Sequence, residues 1–144
     1  MRIARARLAD SHHGDFETMN WTITLIIAAV VAVIFMLKRV GQISPKNALT
    51  HLKNGALVID VRSQGEFNSG HLPNAINIPL GEIEAVVQRR VKDKNQALLL
   101  HCHSGMRSGM AQKKLKRLGY ANAFNLGSYS RAAKVVSCKE ASSI

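Results

Sequence analysis

Ala97-Leu98-Leu99-Leu100-His101-Cys102-His103-Ser104-Gly105-Met106-Arg107-Ser108 is the stretch that decides the fold. Its first four residues form an apolar run without alternation, the pattern of a strand buried on both faces. A polar turn containing a glycine follows. From Ser108 to Leu118 a basic amphipathic segment reads as a helix, closed by Gly119. Strand, tight turn and helix make the repeating unit of a parallel sheet covered by helices. In such sheets functional groups gather beyond the C-terminal ends of the strands, and Cys102 falls there.

Working outward, the alternation repeats. Ser44 can cap and Pro45 can open a helix with Ala48, Leu49 and Leu52 on its apolar face, ended by Asn54-Gly55. Ala56 to Ile59 is a buried strand with Asp60 at its C-terminal end. Ser63 to Phe67 reads as a short helix, Gly70 to Asn74 as a turn, Ala75 to Ile78 as a strand ended by Pro79, and Glu82 to Val91 as a helix. After the polar loop Lys92 to Gln96 and the central strand, Ala123 to Leu126 forms the last strand and Ser128 to about Val136 the last helix. The expected class is α/β, a parallel sheet flanked by helices on both faces.

Ahead of this domain, Trp21 to Leu37 carries no charge. These seventeen residues make about 25 Å of helix, at the short end of what a hydrocarbon core of about 30 Å requires. Lys38-Arg39 ends the run as a stop, and no Ala-x-Ala cleavage site follows it. The expected organisation is a disordered extension over 1–18, a single transmembrane helix over 19–39, a domain over 40–137 and a tail over 138–144. Lys38, Arg39, Lys46 and Lys53 lie beyond the run, with Asp15 and Glu17 before it, which places the domain on the cytoplasmic side. Arg2, Arg5 and Arg7 oppose that orientation from farther out, and a start at Met19 would remove them.

The formal charge is +11. From residue 41 onward fifteen Lys and Arg face six Asp and Glu, an excess of nine. Such a domain suits an anionic substrate or lipid. No zinc-finger spacing, aromatic-basic motif or helix-turn-helix pattern supports nucleic acid. Two cysteines, Cys102 and Cys138, do not make a disulfide scaffold, and a reducing compartment fits better. Six scattered histidines with no second thiol nearby make no metal site, and no cofactor is expected.

A cysteine at a strand-to-helix turn faces unpaired backbone N–H groups and the positive end of the helix dipole. Arg107 adds a full charge. All three favour thiolate over thiol, and the same groups can hold an anion against the sulfur. Gly105 lets the backbone turn closely. Such a site receives an atom from an anionic donor and holds it.

Several segments together resemble a rhodanese domain over about residues 43–136. They are Asp60-Val61-Arg62, Glu66-Phe67, and Gly70-His71-Leu72-Pro73-Asn74-Ala75-Ile76-Asn77-Ile78-Pro79, followed by Cys102-x-x-Gly105-x-Arg107-Ser108, Leu118-Gly119-Tyr120 and Asn125-Leu126-Gly127. The resemblance implies the rhodanese fold and transfer of sulfane sulfur from a small anionic donor to a thiol acceptor through a Cys102 persulfide. It makes His103, Ser104, Gly105, Met106 and Arg107 the binding loop, with Asp60, Arg62 and Ser108 in support. Four residues separate Cys102 from Arg107. In families resembling this one the shorter loop accompanies sulfur transfer, whereas related cysteine phosphatases and arsenate reductases have a longer one. A non-catalytic binding module on the same fold is the other alternative, and an intact cysteine loop argues against it.

Asp60 reads as a residue that bonds loop or strand backbone, Arg62 as a partner for Glu66, His101 as packing at a strand end, and Cys138 as a remote candidate for a resolving thiol. The lysines of the 108–118 helix read as a solvated face or an attractor of anions. Ser128 stands where the family often has a second glycine. Arg131-Ala132-Ala133 stands where it often has a tryptophan, which puts the acceptor side in question.

Overall fold

The structure, a computed structural model, describes residues 18–39 and 41–141, with side chains of the first helix described from Trp21 to Met36. The chain divides into two compact units, Met1–Leu37 and Lys38–Ile144.

Helix α1 runs from Thr18 to Arg39, its last two residues belonging to the second unit. Its described side chains are exposed on every side and almost all apolar, among them Trp21, Ile26, Val31 and Phe35. Among the described residues, however, no helix is long and apolar enough to cross a membrane. The transmembrane span expected at 19–39 is therefore not supported. The extension expected over 1–18 lies outside the described residues as far as residue 17, and Thr18 already belongs to α1.

The second unit is built on a four-stranded sheet. β1 is Leu57–Asp60, β2 Ile76–Asn77, β3 Leu98–Cys102 and β4 Ala123–Ser128, in the order β2-β1-β3-β4, all parallel. Every residue of β3 is buried. Its apolar run without alternation arises because both faces are covered. Leu98, Leu100 and Cys102 face one way, into a core with Ile59, Ile83, Val87, Ala111 and Leu115. That side is closed by α4 (Ile83–Arg90) and α5 (Met106–Arg117). Leu99 faces the other way, with Val58, Leu126, Leu52 and Val135, under α2 (Pro45–Lys53) and α6 (Tyr129–Ala141). The short α3 (Gln64–Asn68) follows β1.

Register sets the top of the sheet. Asp60 pairs with His101 and Cys102 with Ser128, after a register shift between Leu100 and His101. The C-terminal ends of the three longer strands thus meet at one level. Ser44 caps α2 by accepting from the Asn47 N–H at 3.2 Å, with Pro45 at the first helical position, as the sequence indicates.

Several boundaries differ from expectation; β4, for one, runs two residues past Leu126 to Ser128. β3 extends through His101 and Cys102, so Cys102 sits on the strand rather than in the loop. α5 begins at Met106, two residues before the expected start. Ser108 resembles a cap by residue type, but its hydroxyl is taken by the buried Asn125 Oδ1 at 2.7 Å, and Gly105 occupies the cap position instead. α6 continues to Ala141, past the expected end at Val136 and into the expected tail. No glycine or proline interrupts Ser137 to Ala141, and Lys139, Glu140 and Ala141 are good helix formers. Residues 142–144 of that tail lie outside the described residues.

Candidate functional site

Cys102 ends β3 with no exposed surface. The Gly105 N–H donates to its Sγ at 3.1 Å. Gly105 has φ +93, a left-handed conformation, and turns the chain directly into α5. The first N–H groups of this helix have no partners within it, and that of Ser108 acts on the sulfur beside those of Gly105 and Ser104. Burial pushes the Cys102 thiol up, but hydrogen bonds from Ser108, Gly105 and Ser104 outweigh it, and the net displacement is downward. The direction is the one expected from the sequence, and its cause is hydrogen bonding at the turn.

Behind the loop lies a buried polar network. The Ser108 hydroxyl has one proton and four acceptors around it. These are Asn125 Oδ1 at 2.7 Å, Gly105 O at 3.1 Å, Gly127 O at 3.5 Å and Cys102 Sγ at 3.7 Å. The shortest contact takes the proton, so backbone N–H groups carry most of the thiolate's stabilisation. Asn125 Oδ1 also accepts from the Gly127 N–H at 2.9 Å, and its Nδ2 donates to Gly105 O at 3.2 Å. Asn125 thereby ties β4 to the loop. Ser104 forms a bridge with Ser128 on the outer side. His103, Ser104 and Met106 are exposed and form the rim.

The arginines pair differently from expectation. Arg62 meets Asp60, not Glu66. Its Nη2 donates to Asp60 Oδ2 at 2.6 Å and to Gly70 O at 2.7 Å, and its backbone N–H donates to Asp60 Oδ1 at 2.9 Å. Both side chains are buried at the end of β1, so the nearest carboxylate is the one two residues back. Glu66 is turned away by a capping box with Ser63 at the start of α3. There it receives Arg107 Nη1 and Nη2 at 2.7 Å each, a two-pronged pair across the loop. Arg107 foremost, and then the Ser63 N–H, hold the Glu66 carboxyl well below the usual carboxylate range. The charge of Arg107 is largely spent on Glu66, and its main action is to fasten the first turn of α5 to α3.

His101 is fully buried beside Cys102 in sequence but on the opposite face of β3. It packs edge-on to Tyr129, and neither ring nitrogen has a hydrogen-bond partner. Asp60 Oδ2 lies 3.8 Å away, too far for a hydrogen bond. Burial pushes its pKa down to about 4 against the pull of Asp60, so the ring is neutral. Cys138 is a free, exposed thiol. It lies nine residues along α6 from Tyr129, which itself is hydrogen-bonded to His103 O. That is about 13 Å of helix, which removes Cys138 as an intramolecular resolving thiol. A cleft of about 490 Å³ between Leu52, Val58, Pro73 and Val136 opens at the start of β1, the opposite end of the sheet from Cys102. Among the described residues no group of three His, Cys, Asp or Glu could hold a metal ion.

The residues from His103 to Ser108 are thus brought around Cys102, and Asp60 and Arg62 form a separate pair at the neighbouring strand end. Sequence reasoning did not place Glu66, Asn125 or Gln42 at the site. Ser63-x-x-Glu66 is a legible capping box, and a lone Asn inside the apolar run Phe124-Asn125-Leu126 is a visible anomaly. Gln42 carries no local signal.

Residues 44–133 match the rhodanese-like domain family. The chain is 38% identical over 69 residues to the thiosulfate sulfurtransferase PspE of Escherichia coli strain K12, covering 48% of this chain and 66% of that one. It is 32% identical over 82 residues to the human thiosulfate:glutathione sulfurtransferase, covering 49% of this chain and 71% of that one. Among solved structures it is similar to a rhodanese with anions from E. coli, with a TM-score of 0.52 and 34% identity over 54% of this chain and 91% of that one. The chain spans less than two thirds of several curated relatives, at 66%, 36% and 17% of their lengths.

Proposed function

Because the chain belongs to the rhodanese-like domain family, we propose that it is a sulfurtransferase carrying sulfane sulfur on Cys102. The observation that carries the reading is the Gly105 N–H on Cys102 Sγ at 3.1 Å, at the head of α5. Curated relatives named for thiosulfate support the donor class.

The Cys102 thiolate attacks the outer sulfur of thiosulfate. An S–S bond forms to Cys102, the bond between the two donor sulfurs breaks, and sulfite leaves with the electron pair. The persulfide anion is held by the N–H groups of the loop from His103 to Arg107. A thiolate acceptor then attacks the outer persulfide sulfur and takes it, and Cys102 leaves as thiolate. Charge and atoms balance in each step, and one difficult transfer becomes two easier ones. Since Cys102 is closed off, entry of the donor requires the exposed His103-Ser104 turn to move.

The basic cluster of α5 takes no direct part. Lys113, Lys114, Lys116 and Arg117 lie in the second half of the twelve-residue α5, about 10–17 Å along it from Met106. That is beyond a screening length of about 8 Å at physiological salt. Lys114 is also paired with Glu84 at 2.9 Å.

The test is release of sulfite from thiosulfate in the presence of a small thiol. Ping-pong kinetics that vanish in Cys102→Ser support the mechanism. A folded chain without sulfite release, or one whose Cys102→Ser variant turns over unchanged, rules it out.

A place on a membrane is part of the proposal. The uncharged run 21–37 attaches the chain to a bilayer, with the domain on the cytoplasmic side beyond Lys38-Arg39. The exposed apolar side chains of α1 support attachment.

A further inference from the structure

The segment that leads into the domain runs beside the reactive loop. Gln42 forms a parallel bridge with Asn125 at the edge of β4. The Ile43 N–H donates to Asn125 O at 2.9 Å, and Ile43 O accepts from Arg131 Nη2 at 2.6 Å. These bonds hold the backbone at Gln42 beside two glycines, whose space its side chain fills together with that of Arg131. A Cβ placed on Gly105 would lie 3.3 Å from Gln42 Nε2, and one placed on Gly127 would lie 2.9 Å from Arg131 Cδ and 3.1 Å from Gln42 Oε1. Both glycines have positive φ, +93 and +100, and the Gly105 position also abuts the Gly127 backbone at 3.3 Å. The carboxamide therefore packs against the peptide whose N–H meets Cys102 Sγ.

We propose that Gln42 is a positioning residue for the sulfur-carrying loop: its carboxamide buttresses Gly105 and Gly127 and so holds the Gly105 N–H on Cys102 Sγ. Gln42 takes no part in bond making or breaking. The consequence for sulfur transfer rests on the sulfurtransferase reading, but stabilisation of the thiolate is measurable without any transfer. The charged or titratable groups around the loop are Arg107 with Glu66, Arg131, His103 and Tyr129, with Asp60, Arg62 and His101 at the neighbouring strand ends, and none of them changes in the variants below.

A shorter side chain at 42 opens a gap into which the Gly105 peptide can turn, and the thiolate then loses a hydrogen bond to its charged form. The full chain in mild detergent, with Cys138→Ser so that only Cys102 reacts, is alkylated with iodoacetamide across a pH series. Thermal unfolding is measured alongside. Gln42→Ala is expected to move the profile upward by about one pKa unit, hence about tenfold slower alkylation below the thiol pKa. Gln42→Met restores the length of the side chain and is expected to bring the profile back toward the parent. A purely structural residue would change the unfolding temperature and leave the profile in place. The proposal is overturned if folded Gln42→Ala titrates like the parent, or if Gln42→Met is displaced as far as Gln42→Ala. Should Gln42→Ala not fold, Gln42→Ser takes its place with the same two readings. If the profile shifts as expected while the parent transfers no sulfur, the positioning role stands and the sulfurtransferase reading falls.

Discussion

At Ser108 a single hydroxyl proton is shared among four acceptors, and the shortest contact is to Asn125 Oδ1 rather than to sulfur. Ser108→Ala keeps the backbone N–H groups, so the Cys102 alkylation profile should move by less than one pKa unit. Stability should fall by about 1–3 kcal/mol, because a buried acceptor loses a donor. Urea unfolding beside the pH profile separates the two effects, and a full tenfold loss of alkylation rate would show that the hydroxyl holds the thiolate. His101 gives a different pH signature. Its pKa of about 4 lies below the ordinary value of 6.5. The unfolded chain therefore binds a proton that the folded chain refuses. Folding weakens as pH falls from 6.5 to about 4, and the contribution is complete above 6.5. His101→Phe should flatten the dependence of unfolding free energy on pH in that window. An unchanged slope would place the acid sensitivity elsewhere.

Among the elements, the strand-to-helix turn is where backbone conformation and packing coincide. Gly105 and Gly119 have nearly the same φ, +93 and +90, but a Cβ on Gly119 meets nothing within 4 Å, whereas one on Gly105 meets Gln42 and Gly127 at 3.3 Å. Gly119→Ala should cost about 1 kcal/mol of backbone strain. Gly105→Ala should cost roughly 1–3 kcal/mol more through crowding and should abolish sulfur uptake. Urea unfolding and uptake from thiosulfate check both, and equal behaviour of the two variants would contradict the tight approach at Gly105. The strands and helices of the domain were legible because apolar runs, caps and glycine stops are local properties. The start of α5 was not, because Ser108 has the residue type of a cap and only tertiary contact with Asn125 diverts it. The partner of Arg62 was not legible either. Asp60 and Glu66 are both within reach along the chain, and the choice is made by the Ser63 capping box that turns Glu66 toward Arg107. Asn125 reaches the site through the pairing of β4 with β3, and Gln42 through its bridge to Asn125.

As a whole molecule the chain joins an exposed apolar helix to a basic domain. The proposed attachment predicts that the full chain floats with anionic phospholipid vesicles while a chain beginning at Lys38 stays in the aqueous fraction. Equal partitioning would place attachment outside residues 1–37. The domain's own chemistry does not depend on that outcome, since every group around Cys102 belongs to the second unit. The most direct test of the central claim is intact mass spectrometry of the reduced full chain after exposure to thiosulfate, with Cys102→Ser beside it. The prediction is a gain of one sulfur atom in the parent, reversed by a small thiol, and none in Cys102→Ser. No gain in a folded, reduced parent, or an equal gain in both, would contradict the assignment of Cys102 as the sulfur carrier.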